Sequence, residues 1–303
     1  MTGPILISGP TASGKSALAL GLARRLGGAV INADAVQVYG CWRVLSARPS
    51  LIDEAAAPHH LYGHIDAREG HSAGRWLRDL APVLDDCRAK GLRAIIVGGT
   101  GMYFSALTLG LADIPEPTPA LRAALEARLN AQGLQAFAAA LAARDPASAA
   151  RVDLANPRRV LRAWEVLETT GRGIAAHHDA TPPPLIAPDA ASLIRLIPDR
   201  ARLYAACDAR FDLMLQSGAL EEAAAVAALS PPAGAQAMQA LGARELAAHL
   251  RGEITLGEAR ARAGRITRNY AKRQSTWTRN QMGAWRAFDS GPAALEVLLR
   301  EAR

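Results

Sequence analysis

The chain has 303 residues, half of them hydrophobic, with a formal charge of +7, long enough to bury a full core as one large domain or two modest ones. No run approaches the roughly 18 consecutive apolar residues of a membrane span, and the first residues pass into a strand-like segment without a basic-then-apolar leader, so a soluble, cytoplasmic protein with no membrane partner is expected. Cys41, Cys87 and Cys207 form no C-x-x-C pair and are expected as reduced, space-filling thiols.

The first apolar run, Ile5 to Ser8, reads as a strand and leads into Gly9-Pro10-Thr11-Ala12-Ser13-Gly14-Lys15-Ser16. This spacing is the P-loop pattern, and an amphipathic helix from Ser16 to Leu26 follows it as the pattern requires. Its glycines let backbone N–H groups turn toward phosphate oxygens, Lys15 adds a cation, and the Ser16 hydroxyl is the candidate Mg²⁺ ligand. The motif names a bound group rather than a reaction.

Further strands are expected at Ala29 to Ala33 and Ala94 to Val97, with a helix from about Ser72 to Lys90 between them. Alternation of strands and helices predicts an α/β fold with a parallel, P-loop NTPase-like sheet. The prolines at 115, 117 and 119 break that pattern. An alanine-rich helical stretch follows, including a helix capped by Asn156 with Pro157 in its first turn. Thr181-Pro182-Pro183-Pro184 closes it, and Ser192 to Ile197 reads as a strand returning to the sheet. The expected organisation is a core over 1–113, a helical insertion domain over 114–190, and the rest of the core with a helical C-terminal region over 191–303.

In a parallel sheet the strand ends carry the chemistry, which puts Asp34, after the second strand, and Thr100, in the Gly98-Gly99-Thr100-Gly101 turn, beside the P-loop. The strand ending at Val97 has no Walker B aspartate. Asp34 is therefore either a metal residue, as in small-molecule kinases, or a general base; spacing does not separate the two. Between Glu258 and Asp289 stand eight basic residues and no acid, so the positive excess is local. On a helix Arg265, Arg268, Lys272 and Arg279 share one face, and Tyr270, Arg273 and Trp277 another, a stripe suited to a phosphate backbone and stacked bases. The pairs His59-His60 and His177-His178 are not read as a metal site, because adjacent histidines point apart.

The segments GPTASGKSALA (9–19), INADAVQVY (31–39), PHHL (58–61), GGTGMY (98–103), NPRRVLRAWEV (156–166) and YAKRQSTWTRN (270–280) together resemble the tRNA dimethylallyltransferase (tRNA isopentenyltransferase) family, in family order across nearly the whole chain. The resemblance implies transfer of a prenyl group from dimethylallyl diphosphate to N6 of the adenosine immediately 3′ of the anticodon, by a monomer acting with Mg²⁺ on the tRNA anticodon stem-loop. It assigns Gly9 to Ser16 and Arg210 to the diphosphate, and Lys15, Asp34 and Thr100 to catalysis. It assigns Asp34, Ala35, Val36, Gln37, Thr100, Arg122, Arg158, Arg159 and Arg162 to tRNA, joined by Arg265, Arg268 and Lys272 of the stripe. Ala35, Arg48, Gln239, Ala243 and Ala206 depart from the family's usual Ser, Lys, Arg, Tyr and Arg. Two alternatives stay open: a P-loop small-molecule kinase, which leaves the basic tract unexplained, and an RNA-binding protein with a vestigial P-loop.

Overall fold

The computed structural model describes residues 3–232 and 234–302. Six strands, β1 (Ile5–Ser8), β2 (Gly28–Asn32), β3 (His59–His60), β4 (Arg93–Gly98), β5 (Ser192–Leu196) and β6 (Arg286–Phe288), form one sheet in the order β3-β2-β4-β1-β5-β6. Every pairing in it is parallel, as the strand–helix alternation predicts, so all carboxyl ends emerge along one edge. The helices are α1 (Lys15–Leu26), α2 (Leu51–Ala56), α3 (Ala73–Ala89), α4 (Gly101–Leu109), α5 (Pro119–Arg144), α6 (Pro146–Ala149), α7 (Pro157–Thr170), α8 (Ile174–Asp179), α9 (Arg200–Gln216), α10 (Ala219–Ala228), α11 (Ala243–Leu250), α12 (Leu256–Gln281) and α13 (Gly291–Glu301).

Side chains alternate across each strand. Ile5, Ile7, Val30, Ile95 and Val97 join α1 and α13 residues such as Leu18, Leu22 and Leu298 on one face. Leu6, Ile31 and Ile96 meet Trp76, Leu80 and Phe104 from α3 and α4 on the other. The central strands are buried on both faces, which is why they read in the sequence as continuous apolar runs. The edge strands β3 and β6, two and three residues long, escape the sequence pattern altogether. Cys87 and Cys207 are buried and Cys41 partly so, all as free thiols.

Two compact units emerge, one made of Met1–Thr108 with Leu185–Arg303 and the other of Leu109–Pro184. The second is all-helical. Phe137, Leu141, Val160 and Trp164 form its core, and Asn156 caps α7 by accepting from the Arg158 and Arg159 backbone N–H groups at 3.1 and 3.3 Å.

Within the first unit, α12 lies against the glycine turn that follows β4. A side chain at Gly99 would collide with the Gln274 amide, and one at Gly101 with the Trp277 indole. These glycines therefore serve close approach. Gly101→Ala should displace the indole and destabilise the protein by about 1–3 kcal/mol, the usual cost of overpacking, measured as a lowered urea midpoint at unchanged m-value. An unaltered midpoint would mean that α12 does not press on this turn.

Candidate active site at the strand ends

Three adjacent strands, β2, β4 and β1, supply three neighbouring loops, and this order brings together residues far apart in the chain. β1 runs directly into the phosphate-type loop. Ala12 (φ 62°) and Gly14 (φ 84°) both adopt the left-handed conformation there, which turns successive N–H groups inward. The helix N-terminus of α1 begins at Lys15, whose Nζ donates to Pro10 O at 3.2 Å. Ser13 Oγ is buried without a hydrogen-bond partner among the described residues, a polar atom left available to a ligand. Ser16 is exposed on the first turn of α1.

After β2 the chain turns on itself around Asn32 and Asp34. The Asn32 amide donates to Asp34 O (2.9 Å) and Leu61 O (3.0 Å), and its Oδ1 accepts from the Asp34 N–H (2.9 Å). Asp34 Oδ1 accepts from the Val36 N–H at 3.0 Å, a short Asx-type turn that aims the carboxylate. Thr100, one turn beyond β4, accepts the Ala35 N–H on its Oγ1 at 2.9 Å. Asp34 and Thr100 are thus fixed to one another through the backbone. The Gln37 amide donates to Ser46 O and Ala47 O at 2.8 and 2.9 Å, tying this loop to the next turn.

Two residues complete the junction. Arg210 on α9 donates from Nη2 to Thr11 Oγ1 at 2.5 Å. Gln274 on α12, almost fully buried, accepts the Thr11 N–H on Oε1 (2.8 Å) and donates through Nε2 to Gly99 O (2.9 Å). The sequence did not single out Gln274; its only signal was a polar residue on the apolar face of a helix. A cavity of about 470 Å³ opens where these groups meet, lined by Thr11, Asp34, Thr100, Arg210, Tyr270 and Arg273 among others.

The electrostatics of this junction are those of an anion receptor. Desolvation lowers the Lys15 pKa from 10.5 to about 8, with Asp34 opposing the shift and Arg210 adding to it. Burial likewise lowers that of the Arg210 guanidinium. Two cations that surrender protons more readily than normal are short of negative charge, and Asp34 is the carboxylate that partly offsets both.

The remaining expected contacts fall elsewhere. In the second unit Arg122 Nε and Arg162 Nη1 both donate to the buried Glu165 carboxylate, at 2.9 and 3.2 Å, while Arg158 and Arg159 are exposed in the first turn of α7. On α12, Arg265, Lys272 and Arg279 are exposed. Arg268 donates to Asp208 at 2.5 Å, and Arg260 pairs with Asp212. The acid-free tract in the sequence is therefore partly neutralised in space by two aspartates of α9.

Residues 37–281 match the IPP transferase family, and residues 3–57 match isopentenyl transferase. The chain is 56% identical to the tRNA dimethylallyltransferase of Cereibacter sphaeroides over 93% of this chain and 87% of the relative. It is 52% identical to that of Dinoroseobacter shibae over 96% of each. Among solved structures it resembles the tRNA isopentenylpyrophosphate transferase of Bacillus halodurans (TM-score 0.70, 31% identity, 100% of this chain and 96% of that one). It also resembles a eukaryotic dimethylallyltransferase acting on tRNA (TM-score 0.78, 27% identity, 92% and 70%). The likeness extends through the basic helix α12 that a small-molecule kinase leaves unexplained, and the chain belongs to the IPP transferase family, that of the tRNA dimethylallyltransferases.

Proposed function

We propose that this protein transfers the dimethylallyl group of dimethylallyl diphosphate to N6 of the adenosine immediately 3′ of the anticodon in tRNA, releasing diphosphate. The observation that carries the reading is Arg210, which lines a cavity together with the strand-end carboxylate of Asp34, while Lys15 of the P-loop lies close enough to couple electrostatically to both and, like Arg210, has its pKa lowered by burial. The cavity is mixed in character, with Val36, Leu45, Met238 and Ile266 on its wall, which suits a substrate that is part diphosphate and part hydrocarbon.

In the reaction the adenine N6 attacks C1 of the prenyl group as the C1–O bond to diphosphate breaks, and the nitrogen gives up a proton. That amine is a weak nucleophile, so a base at the cavity lowers the barrier. Asp34 suits the role because Oδ1 is held by the Val36 N–H while Oδ2 has no hydrogen bond among the described residues. Thr100 fixes the carboxylate's loop through the Ala35 N–H. The P-loop amides, Lys15 and Arg210 stabilise the charge that develops on the leaving diphosphate. The oxygen donors on this side, Ser16 above all, fit a hard cation; Mg²⁺ bound there with the diphosphate would add charge neutralisation. To reach the cavity the target base must leave its stack, and the exposed cations of α12 would hold the surrounding phosphates; Arg158 and Arg159 of the second unit would add tRNA phosphate contacts of their own.

Incubation of the purified chain with unmodified tRNA, Mg²⁺ and dimethylallyl diphosphate, without ATP, should yield a prenylated adenosine detected by nucleoside mass. Product that forms only with ATP would overturn the assignment of the P-loop. In the same assay Asp34→Asn should lower turnover by about a hundredfold or more, and wild-type turnover would remove the base from the mechanism.

The low Lys15 pKa sets a pH dependence. An anion binds best to the protonated ammonium, so affinity for inorganic pyrophosphate should fall as pH rises through about 8, approaching tenfold per pH unit. Lys15→Arg, whose charge persists, should flatten the profile in calorimetric titrations. A wild-type affinity constant from pH 7 to 9 would contradict this.

Neutralising Arg265, Lys272 and Arg279 together should weaken binding of different tRNAs alike and reduce the slope of log K against log salt by up to three phosphate contacts. Arg268 is left out of this set because its guanidinium already serves Asp208. An unchanged slope would assign the stripe to solvent alone.

A further inference from the structure

We propose that His64, His71 and Asp79 form a binding site for a divalent transition-metal ion of the Zn²⁺ class, separate from the oxygen-lined P-loop. One ligand atom from each of the three lies within 4.8 Å of the other two. His64 Nε2 stands 3.3 Å and His71 Nε2 3.2 Å from the same oxygen, Asp79 Oδ2. Bonds of about 2.0–2.1 Å to a tetrahedral ion place its ligand atoms about 3.3 Å apart. Two imidazolium N–H groups sharing that oxygen would instead draw in to about 2.7–2.9 Å. The two separations from Asp79 Oδ2 fit the edges of a metal tetrahedron and are long for charge-assisted hydrogen bonds, and the two histidine ligand atoms lie within 4.8 Å of each other.

The chemistry of the donor set points the same way. Two imidazoles and one carboxylate select Zn²⁺ and its neighbours over Mg²⁺. Three protein ligands leave one position for water, and the His64 side chain is 30% exposed, so an ion has a path in. His71 is fully buried at its side chain and is oriented on its far side, where Nδ1 lies 2.9 Å from the Tyr103 hydroxyl. With Nε2 turned to the ion, the Nδ1–H donates to that hydroxyl, the outer contact that metal-bound histidines usually make. Tyr103 is itself stacked on Trp76 with ring centroids 4.6 Å apart. The His71 backbone N–H donates to Gln236 Oε1 at 2.9 Å. The buried ligand is thus held before any ion arrives.

The site's position gives it a structural task. His64 lies between Gly63, whose N–H donates to Gln37 O, and Ile65, whose N–H donates to Val38 O, both at 2.9 Å. These bonds brace the loop that carries Asp34. An ion clipping His64 to His71 and to Asp79 of α3 would anchor that brace from behind, without touching the cavity.

The test uses the full chain, stripped of metal and then dialysed against Zn²⁺ in excess Mg²⁺, so that a hard-cation site is already filled. Metal analysis should find a single equivalent of Zn²⁺ per chain, and Co²⁺ in its place should give the intense visible bands of a tetrahedral site. His64→Ala and Asp79→Asn alter partly exposed side chains and should keep the fold by circular dichroism while lowering Zn²⁺ affinity by at least about tenfold. Tyr103→Phe should lower it by roughly 10–100-fold. Zn²⁺ should raise the melting temperature of the wild type and not that of His64→Ala. Failure to retain stoichiometric Zn²⁺ would overturn the proposal, leaving Asp79 as a shared hydrogen-bond acceptor. Retention unchanged in both His64→Ala and Asp79→Asn would also overturn it, by placing the ion at other histidines.

Discussion

The Gln274 amide is the joint on which the site depends. Its oxygen holds the Thr11 N–H and its nitrogen holds Gly99 O, so a single buried side chain locks the loops after β1 and β4 together. The Thr11 N–H would otherwise be buried with nothing to bond, a cost of about 1–3 kcal/mol, and Gly99 O is the part-buried end of the same bridge. The junction closes only because Gly99 and Gly101 present no side chain to α12. The helix that carries the exposed cations is therefore the same helix that fixes the phosphate loop. A base held by tRNA contacts on α12 and a diphosphate held by the P-loop would share one rigid reference.

Two populations of positive charge follow from this arrangement, and they differ in kind. Arg265, Lys272 and Arg279 are hydrated, and charges of that sort attract phosphates weakly and in a salt-dependent manner. Lys15 and Arg210 are desolvated, and burial lowers both of their pKa values. In such surroundings a diphosphate is worth more than it would be in water. Arg268 and Arg260 belong to neither group, since Asp208 and Asp212 pair with them. They join α9 to α12 and so hold Arg210 in place relative to Gln274.

The sequence made the strand-end edge legible because its information is local. β1, β2, β4 and β5 are apolar runs ending in polar turns, and Asn156 with Pro157 marks the start of α7 through a cap that is complete within three residues. Parallel order then places Asp34, Thr100 and the P-loop side by side. What stayed hidden depends on partners distant in the chain. Gln274 meets Thr11 across 263 positions, and the aspartates that neutralise Arg268 and Arg260 sit on another helix. β3 reads in the sequence as two histidines and is a strand only because β2 offers it an edge. His64, His71 and Asp79 lack the close spacing of familiar metal motifs, and loop closure rather than helical period brings them together.

Four of the residues that the resemblance marks as departures, Ala35, Gln239, Ala243 and Arg48, fit their surroundings. Ala35 supplies its loop's contact to Thr100 through a backbone N–H, which any residue but proline would provide. Gln239 lines the cavity that Arg244 and Arg273 also line, so cationic groups remain on the same wall. Ala243 is buried with Trp42, Phe211 and Ala263 in one cluster, which leaves a tyrosine no room without repacking. Arg48 is the most closely fitted of the four. Its guanidinium occupies the space that a side chain at Gly63 would need, and Gly63 is in the left-handed conformation (φ 59°) that favours glycine. From there Arg48 Nη1 reaches the carbonyls of Tyr39 and Gly40 at 3.5 and 3.4 Å. Arg48 is thus a clasp on the turn that follows Asp34, and it also lines a second cavity together with Ser16.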